Sequence, residues 1–312
     1  MRRILLCSMF LATFSAAAFC AAYAPAQPLP VPFAQAIPQP HHQVSLERVG
    51  KEFARYHYSG DLRRPFLFPL IGPAGRSLTR MGHPHDPEGH SHHNSVWISH
   101  HDVNGVDFWG DRGAGRIVHR RMIRFDDGDA GASFVAANDW IDESAQRVLL
   151  HELRRVTFVP LENDQSLVVI DLKLSAAAGE VTLGKTPFGM LGVRMAKTIG
   201  VKDGGGEIRN SNGQVNEPEV FWKQARWVDY SGPIAREREE GITLLDHPAN
   251  PNHPSVFHVR GDVWMGASLT HDGPRVVTAD QPLTLRYGLW LHAGRPALEE
   301  IDARWKSFAE LE

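Results

Sequence analysis

Seven histidines fall within nineteen residues, His83 to His101, in the segment HPHDPEGHSHHNSVWISHHDVNGVDFW that ends at Trp109. Asp86, Asp102 and Asp107 interrupt or follow them. Imidazole titrates near neutrality and ligates metals, so this density points to proton transfer, metal binding, or both. On an extended chain, residues i and i+2 share a side, which pairs His83 with His85 and His90 with His92. His93 points opposite to His92 unless the backbone bends between them. His90, His92 and a carboxylate, Asp107 or Asp102, would suit a divalent transition metal. The competing reading is that these histidines hydrogen-bond loop backbone. Asp102-Val103-Asn104-Gly105 carries a strong turn pair, so Asp102 and Asn104 serve either turn geometry or a ligand. Trp97, inside the apolar run SVWIS, reads as core, whereas Trp109 reads as core or as a stacking platform for a sugar ring.

A second polar cluster runs through Trp227-Val228-Asp229-Tyr230-Ser231-Gly232, Asp246-His247-Pro248 and Asn250 to Pro254. An Asp–His pair beside a strand end supplies an acid/base with its charge partner. The expectation is that His247 or His253 meets the first histidine stretch across a sheet face and completes its site. Otherwise Asp246 and Asn250 merely cap turns. Lys185 and Arg194 lie in GKTPFGMLGVRMA, where Arg194 alternates with Val193 and Met195 as a side chain directed into a cleft would. Arginine offers fixed donors for a carboxylate or vicinal hydroxyls, and a structural ion pair is the alternative.

Positioning these groups falls to strands. Residues 44–49 and 52–58 read as a hairpin split by Gly50, and 65–71 as an edge strand or extended segment because of its two prolines. Residues 95–99, 116–125, 132–140 and 147–159 read as further strands, and 200–213 as a loop or hairpin tip whose glycines lack the strand–helix context of a nucleotide site. In residues 166–174, Val168, Ile170, Leu172 and Leu174 share a face. In residues 283–293, Leu283, Leu285, Tyr287, Leu289 and Leu291 share one face, leaving Arg286, Trp290 and His292 together on the other. That second set suits a polar ligand such as a sugar, or an ordinary outer face. From Pro296, Leu298, Ile301, Trp305 and Phe308 line one side of a C-terminal helix, with Glu299 and Glu300 in its first turn. The fold class is therefore all-β, a large two-sheet antiparallel sandwich with a short C-terminal helix.

Length and charge bound the rest. The chain has 312 residues, a net charge of −3 and a pI near 6.6, which gives no electrostatic case for nucleic acid or an anionic membrane. Arg2 and Arg3 followed by an apolar run to Ala22 read as a signal peptide over residues 1–26, hence a secreted or periplasmic protein. Cys7 and Cys20, the only cysteines, lie within it, so the mature chain has no disulfide and no cysteine-ligated zinc. No later run is apolar enough to span a bilayer. Pro/Ala/Gln-rich residues 27–43 read as a tether, and residues 44–312 as one domain.

The segments RPFLFPLIGPAG, HSHHNSVWISHHDVNGVDFWGD, GKTPFGMLGVRMA, WVDYSG, GITLLDHPANPNHP and LRYGLWLHAG occur in order over residues 60–295. Together they resemble the PmoA-like family, often labelled "methane oxygenase PmoA". Gly89 and Ser91 stand where that family more often has Asp and Pro, and His101 where Gly is usual. His90, His92, His93, Asp102, Asn104 and Asp107 keep the pattern, so the resemblance makes His101 the least needed histidine. Methane oxygenation belongs to an integral membrane subunit, which this chain does not resemble, so the label fits poorly. The resemblance implies an exported protein in a setting of carbohydrate breakdown, and the all-β reading suits a galactose-mutarotase-like supersandwich. Three functions follow. The first is an epimerase, lyase or hydrolase acting on a small carbohydrate or glycoside. In it His92 or His93 exchanges protons with His247, Arg194 and Asp229 position the ligand, and Lys185, Asp102, Asn104, Asp107 and His253 contact it. The second is a metal-dependent oxygenase or hydrolase using His90, His92 and Asp107. The third is a non-catalytic sugar binder using Trp109, Arg286 and Trp290, and His292 is a further substrate-binding candidate.

Overall fold

Strand structure begins inside the segment whose prolines suggest a tether. A computed structural model describes residues 30–83, 85 and 89–311; the signal-peptide segment, Asp86 and Glu88 lie outside the described residues. Strands β1 (Ala34–Gln39), β2 (Gln43–Arg48), β3 (Lys51–His57), β4 (Phe66–Leu70) and β5 (Val96–His100) lie side by side. Next comes a meander of long strands, β6 (Gly115–Asp126), β7 (Ala132–Asp142), β8 (Arg147–Pro160) and β9 (Ser166–Ala176), which starts a second sheet. The chain then alternates between layers. The short strand β10 (Glu180–Leu183) precedes β11 (Thr186–Arg194), which pairs with β5. A one-turn helix α1 (Val201–Gly204), β12 (Glu207–Asn210), helix α2 (Asn216–Val220) and β13 (Lys223–Gln224) lead to β14 (Trp227–Ala235) and β15 (Arg238–Asp246) of the second sheet. Strands β16 (Val256–Arg260) and β17 (Trp264–Thr270) return to the first, β18 (Arg275–Thr278) pairs with β10, and β19 (Leu283–Ala293) inserts between β15 and β9. Helix α3 (Leu298–Ala309) closes the chain.

The result is a nine-stranded sheet, β1-β2-β3-β4-β5-β11-β17-β16-β13, and an eight-stranded sheet, β12-β14-β15-β19-β9-β8-β7-β6. Period-2 alternation turns Val96, Ile98, Leu191, Val193, Phe257 and Met265 of the first sheet, and Val168, Ile170, Tyr287 and Leu289 of the second, into one buried core. The sandwich expected from sequence is thus present, and residues 32–312 form a single compact unit. Among the described residues no helix is long and apolar enough to cross a membrane.

Three expectations change. The tether ends earlier than residue 43: Ala34 and Ala36 are buried in β1, whose first residue exchanges backbone hydrogen bonds with Gly128 of the β6–β7 turn. Small side chains let this proline-bearing segment pack as a sheet edge. Strand β4 is internal rather than an edge, and its prolines are tolerated because only Phe66 and Leu67 pair with β5, leaving Pro69 beyond the ladder. Residues 200–213, read as a loop or hairpin tip, hold α1 and β12 and end in a turn closed by the Gly213 amide on the Asn210 carbonyl (3.0 Å).

The outer face of the eight-stranded sheet is covered by α3. Ile301 and Phe308 pack on Trp227, Leu245, Trp290 and Leu167. Gly288 permits that approach, since a Cβ there would sit 3.0 Å from a ring carbon of Phe308. The other sheet leaves its outer face to loops, and there the histidines gather.

Candidate active site

Directly opposed residues in neighbouring strands share a face, so the register defines a row on the outer side of the nine-stranded sheet: Phe66, Trp97, Gly192, Gly266 and His258. The two central glycines leave a trough. A Cβ on Gly192 would lie 2.4 Å from the Trp97 indole, which fills that space. One step along, Arg194 opposes Trp264. Phe66, Trp97, Trp109 and Trp264 form a separate aromatic cluster here, with Phe188 and Met81 against it.

The loop joining β4 to β5 lays its histidines over this trough. Its backbone turns rather than running extended: His93 N–H donates to the His90 carbonyl (3.2 Å), and Gly82 N–H donates to that of His93 (2.7 Å). The expected i, i+2 pairing therefore gives way to i, i+3. His90 and His93 stack with ring centroids 4.3 Å apart, and His92 meets His93 edge-on at 4.5 Å. His93 is 1% exposed and lies against Trp97 (4.8 Å) and Trp264 (4.9 Å), as a floor to the cleft. Arg64, also 1% exposed, fastens the loop down. Its guanidinium donates to the carbonyl of His92 (3.0 Å) and to Asn94 Oδ1 (2.7 Å). On the facing loop it donates to the carbonyls of Phe108 (3.0 Å), Trp109 (2.7 Å) and Gly110 (3.1 Å).

Between the loops lies a cleft of about 350 Å³, walled by His90, His92, His101, Asp107, Trp109, Phe188 and Trp264 over His93. Two histidine–carboxylate pairs border it. His101 Nδ1 is 3.2 Å from Asp107 Oδ1, which also accepts from the Trp109 and Gly110 amides. His90 Nδ1 is 3.3 Å from Asp262 Oδ2 and 3.2 Å from Arg194 Nη1. Arg194 Nη1 in turn donates to the Asp262 carbonyl (2.8 Å). Burial, reinforced by the Arg64 charge, pushes the pKa of His92 down to about 4. Burial and Arg260 take His258 down to about 3, and burial with the neighbouring imidazoles holds His93 well below the usual range. These rings are neutral near pH 7 and can accept a proton or a hydrogen bond. Among the described residues, buried Nδ1 of His93 and of His258 and the indole N–H groups of Trp97 and Trp264 have no hydrogen-bond partner, an unusual concentration that fits a site built for a ligand.

The same environment sets acid sensitivity. His100 is fully buried, with Nδ1 accepting from the Asp102 amide (3.1 Å) and Nε2 bonded to Thr270 Oγ1 (2.8 Å), a pattern satisfied by the neutral ring. Burial lowers its pKa to about 4. In the unfolded chain it binds a proton below about 6.5 that the folded chain excludes, so stability is complete above that pH and falls toward pH 4. His100 alone contributes on the order of 3 kcal/mol to that loss. Urea unfolding across this interval should show a steep decline; a flat profile from pH 7 to 4 would overturn the assignment.

Other sequence candidates lie elsewhere. Asp102 Oδ1 accepts from the Gly105 amide (2.8 Å), and Asn104, at φ 52°, accepts from the Thr182 amide (2.7 Å), so both hold the turn. Lys185 is exposed in an adjoining groove. The expectation that His247 or His253 completes the site is not met: neither lines the cleft, and both pack against α3, on the opposite layer. His247 meets Phe308 of α3 edge-on (5.3 Å), and His253 bonds Asp246 (2.7 Å) while stacking on Trp305 (5.9 Å). Asp229 and His292 bond each other (2.8 Å) and are fully buried, Trp290 donates to Gln165 (3.0 Å) beneath α3, and Arg286 pairs with Asp171 (2.5 Å). These residues lie on the outer side of the eight-stranded sheet, where His247 and Arg286 line a cavity of about 410 Å³ apart from the histidine cleft.

The ligand set His90, His92 and Asp107 is not drawn together, since Asp107 is engaged with His101 and two amides. Among the described residues no group of three or more His, Cys, Asp or Glu could hold a metal ion. Arg64, His258, Asp262 and Trp264 were not singled out by the sequence, and His101, discounted there, lines the cleft. For Arg64 the arginine pair before PFLF gave no warning; for His258 alternation with Phe257 and Val259 was the available signal.

The model of a family of unknown function, DUF6807, matches residues 43–306. No curated protein matches the chain. Among solved structures, "Heparinase III-BT4657 gene product, Methylated Lysines" aligns at 13% identity with a TM-score of 0.39, covering 86% of this chain and 37% of its own. "Putative kojibiose phosphorylase from human microbiome" aligns at 8% identity and TM-score 0.35, covering 91% and 37%. A protein described as a "putative mutarotase" from Salmonella typhimurium aligns at 10% identity and TM-score 0.34, covering 83% and 97%. This chain thus spans little over a third of the first two.

Proposed function

The chain belongs to the DUF6807 family, whose function is unknown, and we propose that it is an exported carbohydrate-active enzyme that moves protons to and from a bound sugar. The observation that carries this reading is the meeting of His92 and the His101–Asp107 pair, from two loops, in one aromatic-walled cleft. Indole and phenyl faces suit the C–H face of a pyranose, while imidazoles serve its hydroxyls. His92, neutral near pH 7, accepts a proton. His101 exchanges one on the cleft's other side, its ring oriented by Asp107, whose charge stabilises the imidazolium as it forms. Hydrolysis by the common route needs two free carboxyl groups flanking the bond. Among the described residues Asp107 is the one carboxylate lining the cleft, and it is paired with His101, which favours epimerisation or elimination over hydrolysis. Export rests on the Arg2–Ala26 sequence, and kinship with the PmoA-like proteins rests on the shared motifs; both belong to this proposal.

The test is solvent-deuterium incorporation into a panel of neutral sugars, uronic acids and their glycosides, followed by NMR. Wild-type protein should label or convert one class. His92→Ala and His101→Ala should each slow this by about 10²–10⁴-fold while sugar affinity changes little. Undiminished sugar binding with no exchange or turnover of any member would leave a binding protein and end the enzyme claim.

A further inference from the structure

The aromatic surface does not stop at the cleft. Phe188 forms one wall and lies 5.4 Å, centroid to centroid, from His258. His258 is 4.8 Å from Phe221 and 6.3 Å from Trp222, and Trp222 stacks on Phe221 at 4.5 Å and faces His271 at 5.5 Å. This ridge ends in a second cavity of about 530 Å³, lined by Lys185, Thr186, Pro187, Trp222, His271 and Asp272. Pro187 and Phe188 are consecutive in β11, so one strand segment borders both spaces. Trp222 is 46% exposed and has φ 57°, a left-handed conformation unfavourable for any bulky residue. It is nonetheless fixed, with its amide donating to the Phe257 carbonyl (2.9 Å) and Ala225 donating to that of Ser255 (3.0 Å). A large aromatic held rigidly in solvent beside charged and hydrogen-bonding groups has the make-up of a sugar-stacking platform.

We infer that the groove at Trp222 is a second saccharide subsite and that the substrate is an oligosaccharide or polysaccharide. One unit lies in the histidine cleft and a neighbouring unit stacks on Trp222, with Lys185 and Asp272 in reach of its hydroxyl or carboxylate groups. This rests on the sugar reading of the cleft. It also explains a residue that the cleft does not use: Lys185 serves the neighbouring unit rather than the reacting one.

The experiment is calorimetric titration of the full chain with mono-, di-, tetra- and hexasaccharide ladders of neutral and uronic-acid glycans. Wild-type affinity should rise with chain length. Trp222→Ala should remove about tenfold of the affinity for the longer members, and Trp222→Phe should restore most of it. If wild-type affinity is the same for mono- and oligosaccharides, or if Trp222→Ala keeps the gain with length, the subsite is refuted while the cleft reading stands. Failure of every saccharide to bind wild-type protein would refute both.

Discussion

Arg64→Met should disable the cleft while leaving the sandwich folded. Arg64 bonds both histidine-bearing loops, through five hydrogen bonds to four carbonyl oxygens and one side-chain amide. Burial lowers its pKa to about 10, with Asp111 acting the other way, so the guanidinium stays charged near pH 7. Methionine fills similar volume but donates nothing, taking the Arg64 donor from the carbonyls of His92, Trp109 and Gly110, while that of Phe108 still accepts from Ser99 Oγ (2.6 Å). Each such orphan costs about 1–3 kcal/mol, and loop relaxation recovers part, so a net loss of about 3–5 kcal/mol is expected. Arg64→Lys should not rescue it, because one ammonium cannot present a fork to two loops. Hydrogen exchange should accelerate at residues 89–94 and 107–112 while the sheet cores stay protected, and proton-transfer activity should fall at least 10²-fold. Stability within about 1 kcal/mol of wild type together with intact activity would refute this role.

The second large effect belongs to the other layer. Asp229 is fully buried and accepts from Ser231 Oγ (2.6 Å), Thr243 Oγ1 (2.9 Å), Arg209 Nη2 (2.8 Å) and His292 Nε2 (2.8 Å). Burial by itself would raise its pKa, yet His292 and Arg209 hold it down to about 2. A folded pKa below the unfolded value gives stability that is present above about pH 4 and lost as pH falls toward 2. Asp229→Ala removes the shared acceptor and leaves Arg209 and His292 buried without it, so a loss of about 3–5 kcal/mol is expected. Because Asp229 lies in the opposite sheet from the cleft, the folded fraction of this variant should retain wild-type kcat and KM. Urea melts paired with kinetics on the folded fraction decide this. Lost activity at full stability would return Asp229 to the chemistry.

What the sequence could convey depended on range. Alternation in Val168 to Leu174 and Leu283 to Leu291 was readable because it is local, and those residues do enter the core. Ile301 and Phe308 identified the buried side of α3 for the same reason, although Pro296 precedes the helix rather than opening it. The histidine segment announced a site by composition. Its turn, its floor and its partners did not show, because His258 and Trp264 arrive from strands more than 150 positions away and Arg64 precedes the stretch in a run that reads as ordinary strand. The pairing of His247 with that segment failed on layer assignment. Its strand was recognised, but sequence does not say to which sheet a strand belongs when the chain crosses between layers at every second turn.

Almost all of the cleft's movable parts leave from the two ends of one five-residue strand, β5. The loop before it brings His90, His92 and His93; the loop after it brings His101, Asp107 and Trp109. The core beneath constrains only part of each loop: besides Val96 and Ile98 of β5 it takes Leu78 from the first loop and Val103 and Phe108 from the second. In evolutionary terms the sandwich is a chassis and the chemistry an exchangeable cassette, constrained at those core anchors and at the Arg64 fastening. Descendants of this scaffold can therefore diverge in reaction by rewriting two short stretches, and a change at the fastening point marks a lineage that has abandoned the original arrangement.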